Sequence, residues 1–133
     1  MKIKFEDDHH CFVCGSLNNS GLKLTFNLDK SNNRISTEFI PQKIYQGYKD
    51  IVHGGIIGLI LDECMVTLAL KLGHHAVSAE YTIRLFTPAK IGKKLIFSAR
   101  LASEKGKLLM IEGECHDEDN TKIASSSSKC IKI

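Results

Sequence analysis

The sequence predicts an α+β domain, a curved antiparallel sheet of about six strands in the order ββαββββ wrapped around one long helix. Three observations carry that expectation. Apolar and polar residues alternate with period two in several segments separated by turns. One longer stretch is apolar on nearly every side, as a helix enclosed by other structure must be. The 133 residues suffice for one core and are few for two, so a single domain spans 1–133.

Each element has its own signal. Residues 1–20 are polar, with Cys, His, Asn and Gly, and read as an irregular N-terminal segment. From Gly21 to Asp29 the residues Leu22, Leu24, Phe26 and Leu28 alternate with Lys23, Thr25 and Asn27, which predicts a half-buried strand. Lys30-Ser31-Asn32-Asn33 is turn chemistry, and Arg34 to Ile40 is the return strand, ended by Pro41. A loop with Gly47 and two tyrosines leads to the helix, which runs from Gly54 or Gly55 to about Lys71 and is closed by Gly73. Four further strands are expected: Ala76 to Thr87, stopped by Pro88; Lys94 to Ser103; Leu108 to His116; and Thr121 to Ile133. Within the first of them, Val77, Ala79, Tyr81, Ile83 and Leu85 should share one face, and Ser78, Glu80, Thr82 and Arg84 the other. Ser125 to Ser128 supplies small side chains where the sheet passes something bulky, such as the helix. A sheet of so few strands leaves open edges, and pairing edge to edge in a homo-oligomer would cover one.

Composition narrows the function classes. With 43% hydrophobic and 25% charged residues the chain has the balance of a soluble globular protein. The net charge of +3 is spread out, with no dense Lys/Arg block interleaved with aromatics, so nucleic acid is not an expected partner. No apolar run approaches the roughly 18 residues of a membrane span, and the N-terminus lacks a signal-like apolar region, so no membrane partner and a cytoplasmic location are expected. Five cysteines, an odd number, suggest reduced thiols.

The helix DIVHGGIIGLILDEC carries the chemistry. His53-Gly54-Gly55 places two glycines where the first backbone N–H groups lack partners and the helix dipole is positive, a site for an anion or a carbonyl oxygen. Gly55, Gly58 and Asp62 are spaced i, i+3, i+7 and form a strip ending at a carboxylate. Asp62 and Glu63 differ by about 100° around the axis. Asp62 is the candidate for work, and Glu63 is expected to be a solvated or salt-bridged neighbour. Burying a carboxylate costs several kcal/mol unless it is paired, so packing alone gives no reason for Asp62.

His53-Gly54-Gly55 with an acid nine residues after the histidine, then a strand closing in Pro88-Ala89-Lys90-Ile91-Gly92, resembles the hot-dog-fold acyl-CoA thioesterases, in particular their PaaI-like branch. CFVCG followed by Asn-x-x-Gly-Leu, here Cys11 to Leu22, is similar to the N-terminal segment of many members. The resemblance implies a dimer with a continuous sheet, often paired again into a tetramer, and two sites per dimer shared between subunits. It implies that the Gly54 N–H polarises the thioester carbonyl with His53 beside it, and that Asp62 of the partner subunit is nucleophile or general base. Ser78, ten residues before Pro88, would help to hold the water or the carboxylate. Gly55, Gln46 and Gly47 fall at the substrate. Some relatives have an asparagine six residues before the histidine, where this chain has Gly47, and Gln46 is the neighbour that could take its polar role. The implied reaction is hydrolysis of acyl-CoA to free acid and CoA, with no cofactor. Two rival readings stay open: a hot-dog enoyl-CoA hydratase or dehydratase using His53 with Asp50, and a non-catalytic acyl-CoA-binding module.

Two other clusters remain. Arg84, Lys90, Lys93, Lys94 and Arg100 form the densest basic region, and Arg84, Lys90 and Lys93 are candidates for the phosphates of CoA. Cys11 and Cys14, preceded by His9 and His10, have ligand-like spacing, but one pair is half of a four-cysteine site, and a structural role without metal is expected.

Overall fold

Helix α1 runs from Gly54 to Lys71 in a computed structural model that describes residues 3–133. Met1 and Lys2, part of the expected irregular segment, lie outside the described residues. His53, extended at φ −57° and ψ 130°, is the N-cap, and its ring Nδ1 accepts the Gly55 N–H at 2.8 Å. At the other end Gly73 takes φ 95°, its N–H reaches the Leu70 carbonyl at 3.0 Å, and the His74 N–H reaches that of Ala69 at 2.9 Å. These crossed bonds on a left-handed glycine form a Schellman end, the role expected of Gly73. Ile57, Ile60, Leu61, Cys64, Met65 and Leu68, spaced three and four apart, form one buried face of the helix, while Ile56, Leu59 and Val66 are half-buried and Leu70 is exposed, so the enclosure expected on nearly every side is only partial. Each large side chain of that buried face contributes about 1.5–3 kcal/mol of burial.

The sheet comprises β1 (Asn27–Asp29), β2 (Arg34–Phe39), β3 (Ala76–Leu85), β4 (Leu95–Lys105), β5 (Leu108–Asp117) and β6 (Lys122–Lys132), antiparallel in the order β1-β2-β4-β5-β6-β3. It curves around α1 and buries Ile35, Phe97, Ala99, Leu109, Ile111 and Ile123 against the helix. The serine run lies in β6, where Ser126 and Ser128 are buried and the Ser126 hydroxyl donates to the Met65 sulfur at 3.5 Å. Beside it Gly113 has no side chain because a Cβ there would sit 2.5 Å from the Ser126 Oγ. Small residues thus admit the helix, as the sequence suggests. All five cysteines are free thiols, three of them buried.

Two expectations need correction. The strand expected over Gly21 to Asp29 is only Asn27–Asp29. Lys23 has φ 52°, and the N–H groups of Leu22 and Leu24 bond instead to the carbonyls of Phe12 and Val13. Leu22, Leu24 and Phe26 still pack against the core, so the period of two reports burial without sheet pairing. In β3 the register shifts between Ser78 and Glu80, so strict alternation fails. Ser78 and Ile83, assigned to opposite faces, both meet α1. The strand also ends at Leu85, two residues early.

β3 is an edge strand of ten residues, and Tyr81 and Leu85 on it are 47% and 58% exposed. Long apolar edges of this kind are normally covered by a partner or blunted by charge. Among the described residues, no helix is long and apolar enough to cross a membrane.

Candidate active site

Three contacts place α1 against β3. A Cβ on Gly54 would lie 2.9 Å from Leu85 Cδ1, and one on Gly58 would lie 2.7 Å from Ile83 Cδ1. The Ser78 hydroxyl donates to Asp62 Oδ1 at 2.6 Å. The residues facing β3 are therefore 54, 58 and 62, a strip of spacing four, while Gly55 turns toward the His53 ring. Glycine here serves close packing, and the groove expected along Gly55 and Gly58 is filled by Ile83 of β3 at Gly58 and by the His53 ring at Gly55. Asp62 is half-buried, and its paired carboxylate marks the end of that strip.

At the other end, the first backbone amides of α1 divide their roles. The Gly55 N–H is taken by His53, and those of Ile56 and Ile57 by the His53 carbonyl. The Gly54 N–H has no acceptor among the described residues. It lines a cleft of about 550 Å³ with Gly47, Tyr48, His53, Ile57 and Phe86. An unpaired amide at a helix start, set in an apolar cleft, is a donor waiting for an oxygen. Because Nδ1 of His53 accepts from Gly55, a neutral ring carries its proton on Nε2, which makes that atom a second donor. Gly47 lines the cleft beside this ring, and a Cβ there would make ordinary contact with His53, 3.4 Å from its Cα. Gln46 turns its carbonyl to the Asp50 N–H at 3.1 Å.

The basic candidates do not gather. Lys93 is engaged by Asp117 at 3.3 Å and Asp119 at 2.5 Å, Lys94 by Glu38, and Arg100 by Glu112. Arg84 and Lys90 have no ion pair among the described residues, and Arg84 lines a shallow depression on the outer sheet face that Lys90 does not share. The His53–Asp50 pair required for hydration is not formed either, because Asp50 meets Lys43 at 3.6 Å and His53 is turned to Gly55. Glu63 corrects another expectation. It is half-buried beneath the N-terminal segment, where Cys11 Sγ donates to its Oε1 at 3.4 Å. The apolar walls Tyr48, Ile51 and Phe86 escaped the sequence reading, although Phe86-Thr87-Pro88 marks the end of the strand that supplies one of them.

Residues 49–124 match the family model of the thioesterase superfamily. The chain belongs to that superfamily. Its fold is the hot-dog fold, shared with solved thioesterase structures. A thioesterase superfamily protein aligns at TM-score 0.86 and 22% identity over 93% of this chain, which spans 61% of that protein's length. A Streptococcus mutans protein bound to acetyl-CoA aligns at 0.77 and 14% over 83% of this chain and 88% of its own. The E. coli PaaI protein of the phenylacetic acid degradation operon aligns at 0.73 and 17% over 77% and 74%. At these identities the likeness is one of fold. Comparison with curated proteins finds no match.

Proposed function

We propose that the protein hydrolyses acyl-CoA thioesters to free acid and CoA at sites each built from two copies of the chain. One observation carries the composite site. The unpaired Gly54 N–H and the Ser78-held Asp62 lie eight residues apart on one helix, about 12 Å along its axis. Groups that act on one carbonyl must come within about 3–3.5 Å of the reacting atoms. The two ends of one helix therefore belong to different sites, and the exposed edge strand β3, which packs on both ends, supplies the surface where two copies would meet.

In this reading the acyl group enters the apolar cleft with its carbonyl oxygen on the Gly54 N–H, and His53 Nε2–H stands beside it. Asp62 of the partner subunit, oriented by a serine hydroxyl, attacks the carbonyl carbon or takes the proton of an attacking water. Charge that develops on the oxygen is held by the fixed amide, and collapse of the tetrahedral intermediate expels the CoA thiolate, giving the free acid directly when water attacks, or an Asp62 anhydride that a water then hydrolyses when the carboxylate attacks. The acetyl-CoA bound by the Streptococcus mutans neighbour supports a CoA thioester as ligand. Arg84 and Lys90, the two of the five candidate cations without an ion pair among the described residues, are available to its phosphates, and the chain is taken to work as a dimer or tetramer in the cytoplasm.

The test is thiol release from a panel of acyl-CoAs by the purified protein and by Asp62→Asn. The expected outcome is turnover that falls at least about 100-fold in the variant, with an unchanged melting temperature. No thiol release from any substrate, or full activity in Asp62→Asn, would overturn the reading.

A further inference from the structure

Cys11, Cys14 and Glu63 converge from two distant parts of the chain. The ligand atoms of all three lie within 4.8 Å of one another. Cys11 and Cys14 sit on a tight turn in which the Gly15 N–H bonds the Cys11 carbonyl at 2.8 Å. That turn has no room for a side chain at Gly15, whose Cβ would fall 2.4 Å from the Cys11 nitrogen. It is anchored on both sides, by buried Val13 and by the bonds of Leu22 and Leu24 to Phe12 and Val13. Glu63 comes from the middle of α1, whose position is set by the core. Two independently braced elements thus aim two sulfurs and a carboxylate at one point.

The geometry points to a zinc site: we infer that Cys11, Cys14 and Glu63 bind one zinc ion, with the fourth position open to solvent water. Zn–S bonds of about 2.3 Å and Zn–O bonds of about 2.0–2.2 Å at tetrahedral angles put sulfur and oxygen about 3.5 Å apart. Cys11 Sγ and Glu63 Oε1 already stand at 3.4 Å. The C-x-x-C spacing suits the same geometry, and a pair of soft thiolates with one carboxylate selects zinc over magnesium or calcium. Cys14 is exposed, so water can reach the fourth position.

Without the ion the cluster is a poor redox pair. Reactive C-x-x-C thiols are depressed by nearby positive charge, whereas the group that faces these two is the Glu63 carboxylate. A carboxylate beside two thiols gains nothing from a disulfide. It gains a great deal from a dication, which displaces one proton from each thiol and leaves a net charge of −1 on the filled site. His9 and His10, which the sequence places next to the cysteines, are turned to Asp7 and Asp8. The filled site would clamp the N-terminal segment to α1 at the residue that follows Asp62.

The test is metal analysis of the full chain, expressed with zinc and purified reduced, together with cobalt(II) reconstitution. About one zinc per chain is expected, along with a thiolate-to-cobalt charge-transfer band. Cys11→Ser and Cys14→Ser should lose both, and Glu63→Gln should weaken zinc binding at least about tenfold. Zinc content unchanged in Cys14→Ser, or a reduced wild-type chain that gives no thiolate–cobalt band, overturns the assignment. These readouts do not depend on thioester turnover, so they stand whatever the fate of the catalytic reading.

Discussion

Gly54 is the first residue of α1, and there the backbone N–H and the missing side chain do separate jobs. The amide is the only one of the first four without an acceptor among the described residues, and the missing Cβ makes room for Leu85. The two roles can be separated by mutation. Proline is well tolerated at the first position of a helix, where its absent N–H would have no helical partner. The preceding residue, His53 at φ −57° and ψ 130°, already has the extended conformation that proline demands. Gly54→Pro should therefore keep the helix and remove the donor, lowering kcat by about 10²–10³. Gly54→Ala adds a similar contact with the flexible end of Leu85 but keeps the N–H, and should retain most of kcat. Equal losses in the two variants would assign the effect to packing, and no loss in either would remove the amide from the mechanism.

Among the elements, the turn between β5 and β6 shows how a candidate ligand group can be committed to the fold. Asp117 is buried; burial opposes its charge, but the N–H groups of Thr121 and Asp119 and the Lys93 ammonium outweigh it and hold the carboxyl below its usual value. A carboxyl lowered in the folded state stabilises the protein above its unfolded value of about 3.9 and loses that contribution as pH falls through the folded value. Asp117→Asn should therefore lower the urea midpoint at pH 7, and the gap from the wild type should close below about pH 4. A gap that stays constant from pH 7 to pH 3 would show that the ionised carboxylate is not what holds the turn. The commitment of Lys93 here was invisible in the sequence, because Asp117 lies 24 positions away and only the β4–β5 pairing brings the two together. Helix α1 was legible because its start, end and periodicity are local properties of residues 53–73. β3 was legible as a strand but not in its facing, since a single bulge after Ser78 reverses parity and turns that hydroxyl to Asp62. The extended segment before β1 misled for the reverse reason. Alternation records which side chains are buried, not which backbone groups are paired, and those of Leu22 and Leu24 pair with the N-terminal segment.

For the whole molecule the question is whether catalysis belongs to one chain or to two. The sheet ends on one side at β3, long, apolar and exposed, and on the other at β1, only three residues long. A two-fold pairing through β3 would set the Gly54 end of one α1 against the Asp62 end of the other, giving two equivalent sites. This arrangement makes a prediction that no single-chain site can meet. Gly54→Pro and Asp62→Asn chains are each expected to be inactive alone. When they are unfolded together and refolded as a mixture, one site of every mixed dimer carries both lesions and the other carries neither. Random pairing makes half of the dimers mixed, with one intact site in two, so about a quarter of wild-type activity should return. The measurement is thiol release from the mixture against each variant refolded alone. If both ends of the helix served one site within a chain, every site would keep one lesion and mixing would restore nothing.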